Sequence, residues 1–295
     1  LKARYTMHLL KRSANKDADM EKVLEYVNNS FESAEEQAAF DVYDANNINP
    51  LYGFFVARAG LGASESMRSK LAEYNDPRLS RAFITKQGTS GKEQAPGTAD
   101  NAVYAPNGTP EQGTSKYGTS LFMYSISAPT LLLSYHELKF LEAEALCRLE
   151  RDAKSALKDA VVAGLLNAEN SFTISRKELG KTLINAASSI TEAEAESYFD
   201  NTIEAKYTAE PLKTTMTQKY FALWGASGEA TESYNDVRRM KGLGENFIEL
   251  KNPNSFPLRC PYGNSDTTTN AEVKAAYGNG QYVYSENVWW AGGSR

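Results

Sequence analysis

Apolar positions recur at helical spacing over most of the chain. In residues 1–13, Leu1, Tyr5 and Leu9 stand at i, i+4 and i+8, with Ala3, Met7 and Leu10 beside them. Met20, Val23, Leu24 and Val27 repeat the pattern in 17–30. A helix opening at Ser64 is expected to bury Met67, Leu71 and Tyr74 and to stop before Pro77, whose ring disfavours helical geometry in the residue ahead of it. Residues 130–149 place Leu138, Leu141, Ala145 and Leu149 on one stripe. After a short Arg151-Asp152 turn, Ala153, Ala156, Leu157, Ala160, Val161 and Gly164 form a second stripe of small residues. Helices joined this tightly lie antiparallel, and the small residues let their backbones approach.

Ser175–Glu178 and Thr191–Glu194 both read as capping boxes opening further helices. Pro211 suits a first helical position ahead of Leu212, Met216, Tyr220 and Leu223. Ser227 is expected to cap a last helix with Ala230, Tyr234 and Val237 inward and Gly242 at its end. The fold class is therefore all-α, mostly helical with long irregular loops, built from tetratricopeptide-like helix pairs, although no strict 34-residue repeat is present. Two stretches break the pattern. Residues 86–120, rich in Gly, Pro, Ser, Thr and Asn, read as a long loop insertion, which is uncommon unless functional or mobile. Residues 245–295 read as an extended C-terminal segment with one short strand, anchored by Trp289 and Trp290. The whole of 1–295 is expected to form one domain.

Composition narrows the chemistry. With 41% apolar and 23% charged residues the chain is globular, and no apolar run approaches the roughly 20 residues of a membrane-spanning helix. A net charge of −5 supplies no basic face for nucleic acid. Two His and two Cys leave little for a zinc site or a Ser-His-Asp triad. His136-Glu137 begins like H-E-x-x-H, but Phe140 takes the second His position. Neither a dinucleotide fingerprint, a phosphate-binding loop nor a G-x-S-x-G elbow occurs. Glu142 and Glu144 point to different sides of a helix; Glu144 reads as structural, paired with Arg238 or Arg239. Cys147 and Cys260 read as free thiols, and Asn28 and Asn107 begin glycosylation-type tripeptides. A catalytic role is not expected. Cofactors are not expected either; a structural calcium at Asp44, Asn46, Asn47 and Asn49 has only a faint ligand run behind it, without the Gly and final Glu of an EF-hand loop.

That same run continues into Leu51-Tyr52-Gly53-Phe54-Phe55. Side-chain amides beside aromatic rings suit a sugar, since a ring stacks on apolar C–H faces while amides bond hydroxyls; aromatics at this density equally suit a core. By loop position and chemistry the candidate ligand residues are Asn46, Asn47, Tyr52, Tyr104 and Tyr117.

LKARYTMHLLKR (1–12), YNDPRL (74–79), SYHELKFLEAEALCRL (134–149), TQKYFALW (217–224), the Glu229–Arg239 run and the R-x-P-Y-G-N-S-D stretch of 259–266, in this order, resemble the SusD/RagB family. Gly263 stands where that family usually has Pro, and Asp266 where it usually has Glu. The resemblance implies a nutrient-binding outer-membrane lipoprotein on the cell surface, of which this chain is the C-terminal portion, the lipid-anchored N-terminal part being outside it. It implies non-catalytic capture of an oligosaccharide or peptide in partnership with a SusC-like TonB-dependent transporter. A glycan-cleaving hydrolase and a helical adaptor that binds only protein are the alternatives.

Overall fold

A computed structural model describes the chain apart from residues 59, 88–92, 97–102, 110–112, 114–115, 226–227, 253–254, 289–292 and 294–295. Two compact units result, Leu1–Leu250 and Lys251–Arg295.

In the first unit, α1 (Lys2–His8) and α2 (Lys16–Asn28) are followed by β1 (Ala38–Phe40), α3 (Pro50–Arg58) and α4 (Glu65–Glu73). Strands β2 (Phe83–Gln87), β3 (Glu93–Pro96), β4 (Thr119–Ser120) and β5 (Thr130–Leu133) come next. The remaining helices are α5 (Tyr135–Arg148), α6 (Lys154–Leu179), α7 (Glu192–Tyr198), α8 (Glu204–Ala209), α9 (Pro211–Leu223) and α10 (Ala230–Leu243). The few strands are minor: β1 pairs antiparallel with β5, and β2 lies between β3 and β4 in an antiparallel three-stranded sheet. The β2–β3 ribbon puts regular structure inside 86–120, where the composition suggested only loop; its Gly-rich stretches lie largely outside the described residues.

The helix pairs follow from local chemistry. Ser134 caps α5, its hydroxyl accepting from Glu137 N at 3.1 Å, and Asn15 caps α2 in the same way at 3.1 Å. Leu138, Leu141 and Ala145 join the α1–α2 core, while the α6 stripe of Ala156, Leu157, Ala160 and Val161 sits in the main core with Phe140, Phe172 and Phe221. Gly164 has a specific reason to be glycine: a Cβ there would lie 2.9 Å from Ala222 Cβ, so its absence lets α6 press on α9. Gly228 has another, combining φ +92° with a backbone approach in which a Cβ would meet Leu131 O at 2.2 Å.

Four expectations change. Leu1, Tyr5 and Leu9 are 61%, 56% and 64% exposed, whereas Ala3, Met7 and Leu10 are buried. Two interleaved stripes satisfy the same helical period, and Arg4 decides between them by reaching Glu137 and Glu229. Ser175 opens no helix: it is buried within α6, its hydroxyl donating to Leu121 O at 2.6 Å. Ala230 and Tyr234 point outward, while Asp236, Val237, Arg239 and Met240 face in. Ser227, Trp289 and Trp290 fall outside the described residues. The second unit is not extended coil alone, because α11 (Asn264–Thr269) and α12 (Ala271–Tyr277) form there. Asn270 caps α12, and Tyr262 stacks on Tyr277 with centroids 4.3 Å apart.

Among the described residues no helix is long and apolar enough to cross a membrane.

Candidate functional site

The segment from β1 through α3 carries unusual exposure. Phe40, Val42, Ile48, Phe54 and Val56, all large and apolar, are 49%, 66%, 36%, 52% and 61% exposed. The segment is nevertheless held firmly from beneath. Asn49 is buried; its backbone N donates to Ile126 O and its Nδ2 to Ala128 O, both at 2.8 Å, while its Oδ1 accepts from Leu51 N and starts α3 ahead of Pro50. Phe55 is buried edge-to-face on Tyr124 at 5.1 Å. Tyr43 is tied through its hydroxyl to Thr130 Oγ1 at 2.7 Å. The result is a short, nearly all-apolar helix with one face in the body and the other in water.

Asn46, Asn47 and Tyr52 belong to this surface. Asp44 Oδ1 accepts from the backbone N of both Asn46 and Asn47 at 2.7 Å, an Asx turn that leaves both amide side chains exposed. The two backbone donors hold the Asp44 carboxyl below its ordinary range. The turn spends Asp44 on its own loop, and no group of three or more His, Cys, Asp or Glu suited to a metal occurs among the described residues. Tyr52 is half-buried; its hydroxyl donates to Glu178 Oε1 at 3.4 Å, and burial raises its pKa.

Tyr104 and Tyr117 are not brought to the same place. Tyr117 is a core residue at 8% exposure with the Lys116 ammonium 5.2 Å from its ring centroid. Tyr104 packs edge-to-face on Phe83 at 5.2 Å with the Arg68 guanidinium over its ring, and burial pushes its pKa up to about 12.

A groove of about 520 Å³, within the range of ligand sites, opens where α5, α6 and α7 meet the turn before β1. Val162, Ala163 and Leu166 supply an apolar strip along α6, and Gln37, Tyr135, Asn167 and Asn170 stand beside it. Gln37 Oε1 accepts from Tyr135 N at 3.3 Å, linking the turn before β1 to the start of α5. Asn167 also lines a small cavity of about 10 Å³ with Asn49 and Leu51, so the groove and the base of α3 share a residue. His136 contributes to the groove from a position 2% exposed. Burial pushes its pKa down to about 4, and its Nε2, 3.9 Å from Glu229 Oε2, makes no hydrogen bond. Glu137 beside it is pushed up to about 7 by burial, against the opposing pull of Arg4.

The groove was hidden in the sequence. Its residues come from four separated elements, and only their helical periodicity was visible. Glu144, by contrast, makes the predicted ion pair: Arg239 Nη2 reaches its Oε2 at 2.8 Å, Arg148 Nε its Oε1 at 2.7 Å, and these cations hold its carboxyl far below the usual range despite burial. Arg238 lies outside that cluster, its Nη1 donating to Tyr234 Oη at 3.2 Å.

Comparison with known proteins places this architecture. The family profile described as "SusD-like_2: Starch-binding associating with outer membrane" matches residues 1–262. A SusD/RagB family protein from Bacteroides thetaiotaomicron VPI-5482 is 66% identical with a TM-score of 0.91, over 100% of this chain and 63% of that one. A putative outer membrane protein from Bacteroides vulgatus ATCC 8482, described as probably involved in nutrient binding, is 19% identical with a TM-score of 0.64, covering 98% of this chain and 66% of that one. A chitin-binding protein has the same identity and a TM-score of 0.62, covering 98% and 62%. Comparison with curated proteins gives no match. The chain thus spans less than two thirds of the length of the SusD/RagB protein it matches at 66% identity, and on the profile match and that identity it belongs to the SusD-like family.

Proposed function

We propose that this chain captures a nutrient glycan at the outer face of the outer membrane and passes it to a SusC-like TonB-dependent transporter, making and breaking no bond. The observation that carries this reading is a groove of ligand-binding size whose Asn167 also lines the small cavity at the base of the 40–58 segment. Phe54 and Tyr52 offer rings for the apolar faces of sugars; Asn46, Asn47, Asn167 and Asn170 offer amides that both donate and accept, as hydroxyls require. The family description as starch-binding supports the ligand class, and its association with the outer membrane supports the location. A lipid anchor ahead of the chain and the transporter partner are parts of the same proposal.

Electrophoresis through gels containing starch, or titration with maltooligosaccharides and chitin oligosaccharides, tests it. Retardation or saturable binding is expected, with no growth in reducing ends on prolonged incubation. Steady release of reducing ends would move the protein to the hydrolases. Failure of every glycan, with co-purification of a barrel transporter, would leave a protein-binding adaptor.

A further inference from the structure

The rim of the groove is one-sided in charge. Glu35, Asp159, Glu192 and Glu196 line it against a single cation, Lys158. Lys158 is already engaged, its Nζ lying 2.8 Å from Asp200 Oδ1. Asp159 is paired with Lys139 Nζ at 3.3 Å, which also holds Glu142. Glu192 and Glu196 stand one helical turn apart on α7 and so share a face; among the described residues neither forms an ion pair, Lys158 being near enough to Glu196 only to feel its charge. Inside this rim lies the apolar α6 strip with the amides of Asn167 and Asn170. The rim is therefore attached to a shaped concavity that has both apolar and hydrogen-bonding surface.

We propose that this groove selects among glycans by charge, seating chains whose sugars carry free amines, admitting neutral chains, and turning away uronic-acid and sulfated chains. The proposal rests on the capture reading and refines its substrate class. Like charges across a concave surface repel more strongly than on an open one, because low-dielectric walls focus the field. A carboxylate on each second or third sugar would face the rim at several points with only Lys158 to answer it. An ammonium on the same sugars would find Glu192 and Glu196 without having to break an ion pair among the described residues, and would take over the answer to Glu196 that Lys158 gives only from a distance.

The test uses the full chain and oligosaccharides of equal length: glucosamine oligomers, their N-acetylated counterparts and galacturonate oligomers, titrated at low and high salt. At low salt the glucosamine oligomer is expected to bind at least about tenfold tighter than the galacturonate oligomer, with the neutral oligomer between them; at 0.5 M salt the gap should close to about twofold, as screening predicts. Both carboxylates are exposed, so Glu192→Gln/Glu196→Gln should fold normally and narrow the low-salt gap at least about threefold. Glu25→Gln/Glu73→Gln, at exposed positions that do not line the groove, removes the same net charge and should leave the gap unchanged. Equal binding of galacturonate and glucosamine oligomers overturns the proposal while leaving glycan capture intact. So does a gap that both double variants narrow equally, since the whole-molecule field would then be responsible. Binding of no oligosaccharide of any charge overturns the capture reading and this one with it.

Discussion

Glu144 at the centre of the helical stack and Asn46 on the 40–58 segment are both polar, yet their surroundings differ in kind. Around Glu144, Arg239 and Arg148 point inward to it, Arg239 Nη2 also donates to Asp236 Oδ1 at 2.7 Å, and Arg148 continues to Glu245. Lys219 closes the group on Asp236 at 2.7 Å. These groups are withdrawn from water and answered by one another, so they fix how α5, α9 and α10 meet. Around Asn46 the backbone is tied down by Asp44 and Asn49 while the side chains remain turned to solvent. The first arrangement turns most of its charge inward to set a geometry; the second leaves the Asn46 amide open to something arriving from outside. A fixed mount with an open surface is what the proposed capture without chemistry needs.

The contrast can be broken most severely at its rigid end. Arg239→Ala leaves Glu144 and Asp236 buried with too little positive charge and is expected to cost about 3–5 kcal/mol in chemical denaturation. Arg238→Ala, one residue away on the outer face, should cost less than about 0.5 kcal/mol. Equal losses from the two would contradict the buried network.

Next comes acid. His136 has a folded pKa near 4 against an ordinary 6.5, so between those values the unfolded chain binds more protons and stability falls as pH falls. The full displacement corresponds to at most about 3 kcal/mol. Glu137, held near 7, works in the opposite sense above pH 4.5, since its folded form is the one that takes up protons. His136→Leu isolates the histidine: its stability relative to the parent should improve steadily from pH 6.5 to 4. A constant difference across that range would show that the imidazole does not titrate as its burial requires.

Gly164→Val sharpens the comparison by acting on packing alone. The new side chain meets Ala222 and should cost about 1–3 kcal/mol, with ligand affinity unchanged where the protein is folded. The smallest expected effect lies on the open face. Tyr52→Ala or Phe54→Ala should weaken glycan binding by about 0.5–1.5 kcal/mol, as loss of one stacking ring does. Their stability should stay within about 0.5 kcal/mol of the parent. A large loss of stability with affinity intact would return both rings to the core.

Much of the fold was legible because helix signals are local. Ser64 and Thr191 each cap the helix that follows them, and Pro211 opens α9. The antiparallel α5–α6 pair followed from a connection too short for any other arrangement. Ser175 misled because a hydroxyl followed three residues later by Glu is also compatible with a helix interior, where Ser125 and Leu121 happen to receive it. Of the candidate site, Asn46, Asn47 and Tyr52 could be read together because the last stands only six positions after the first. Tyr104 and Tyr117 could not be sorted into core or surface without knowing that Phe83 and Arg68 close on the first and that the second is buried among distant elements.

The amino-acid sequence by itself determined that this chain is helical, where most helices begin, and that histidine and cysteine are scarce, because capping and periodicity act over a few residues at a time and composition is read by counting. The tertiary structure decided which of two equivalent stripes on α1 turns inward, which arginine answers Glu144, and that residues near 37, 135, 160 and 195 surround one groove. Those outcomes depend on the crossing and approach of helices distant in the chain, and no local spacing encodes them.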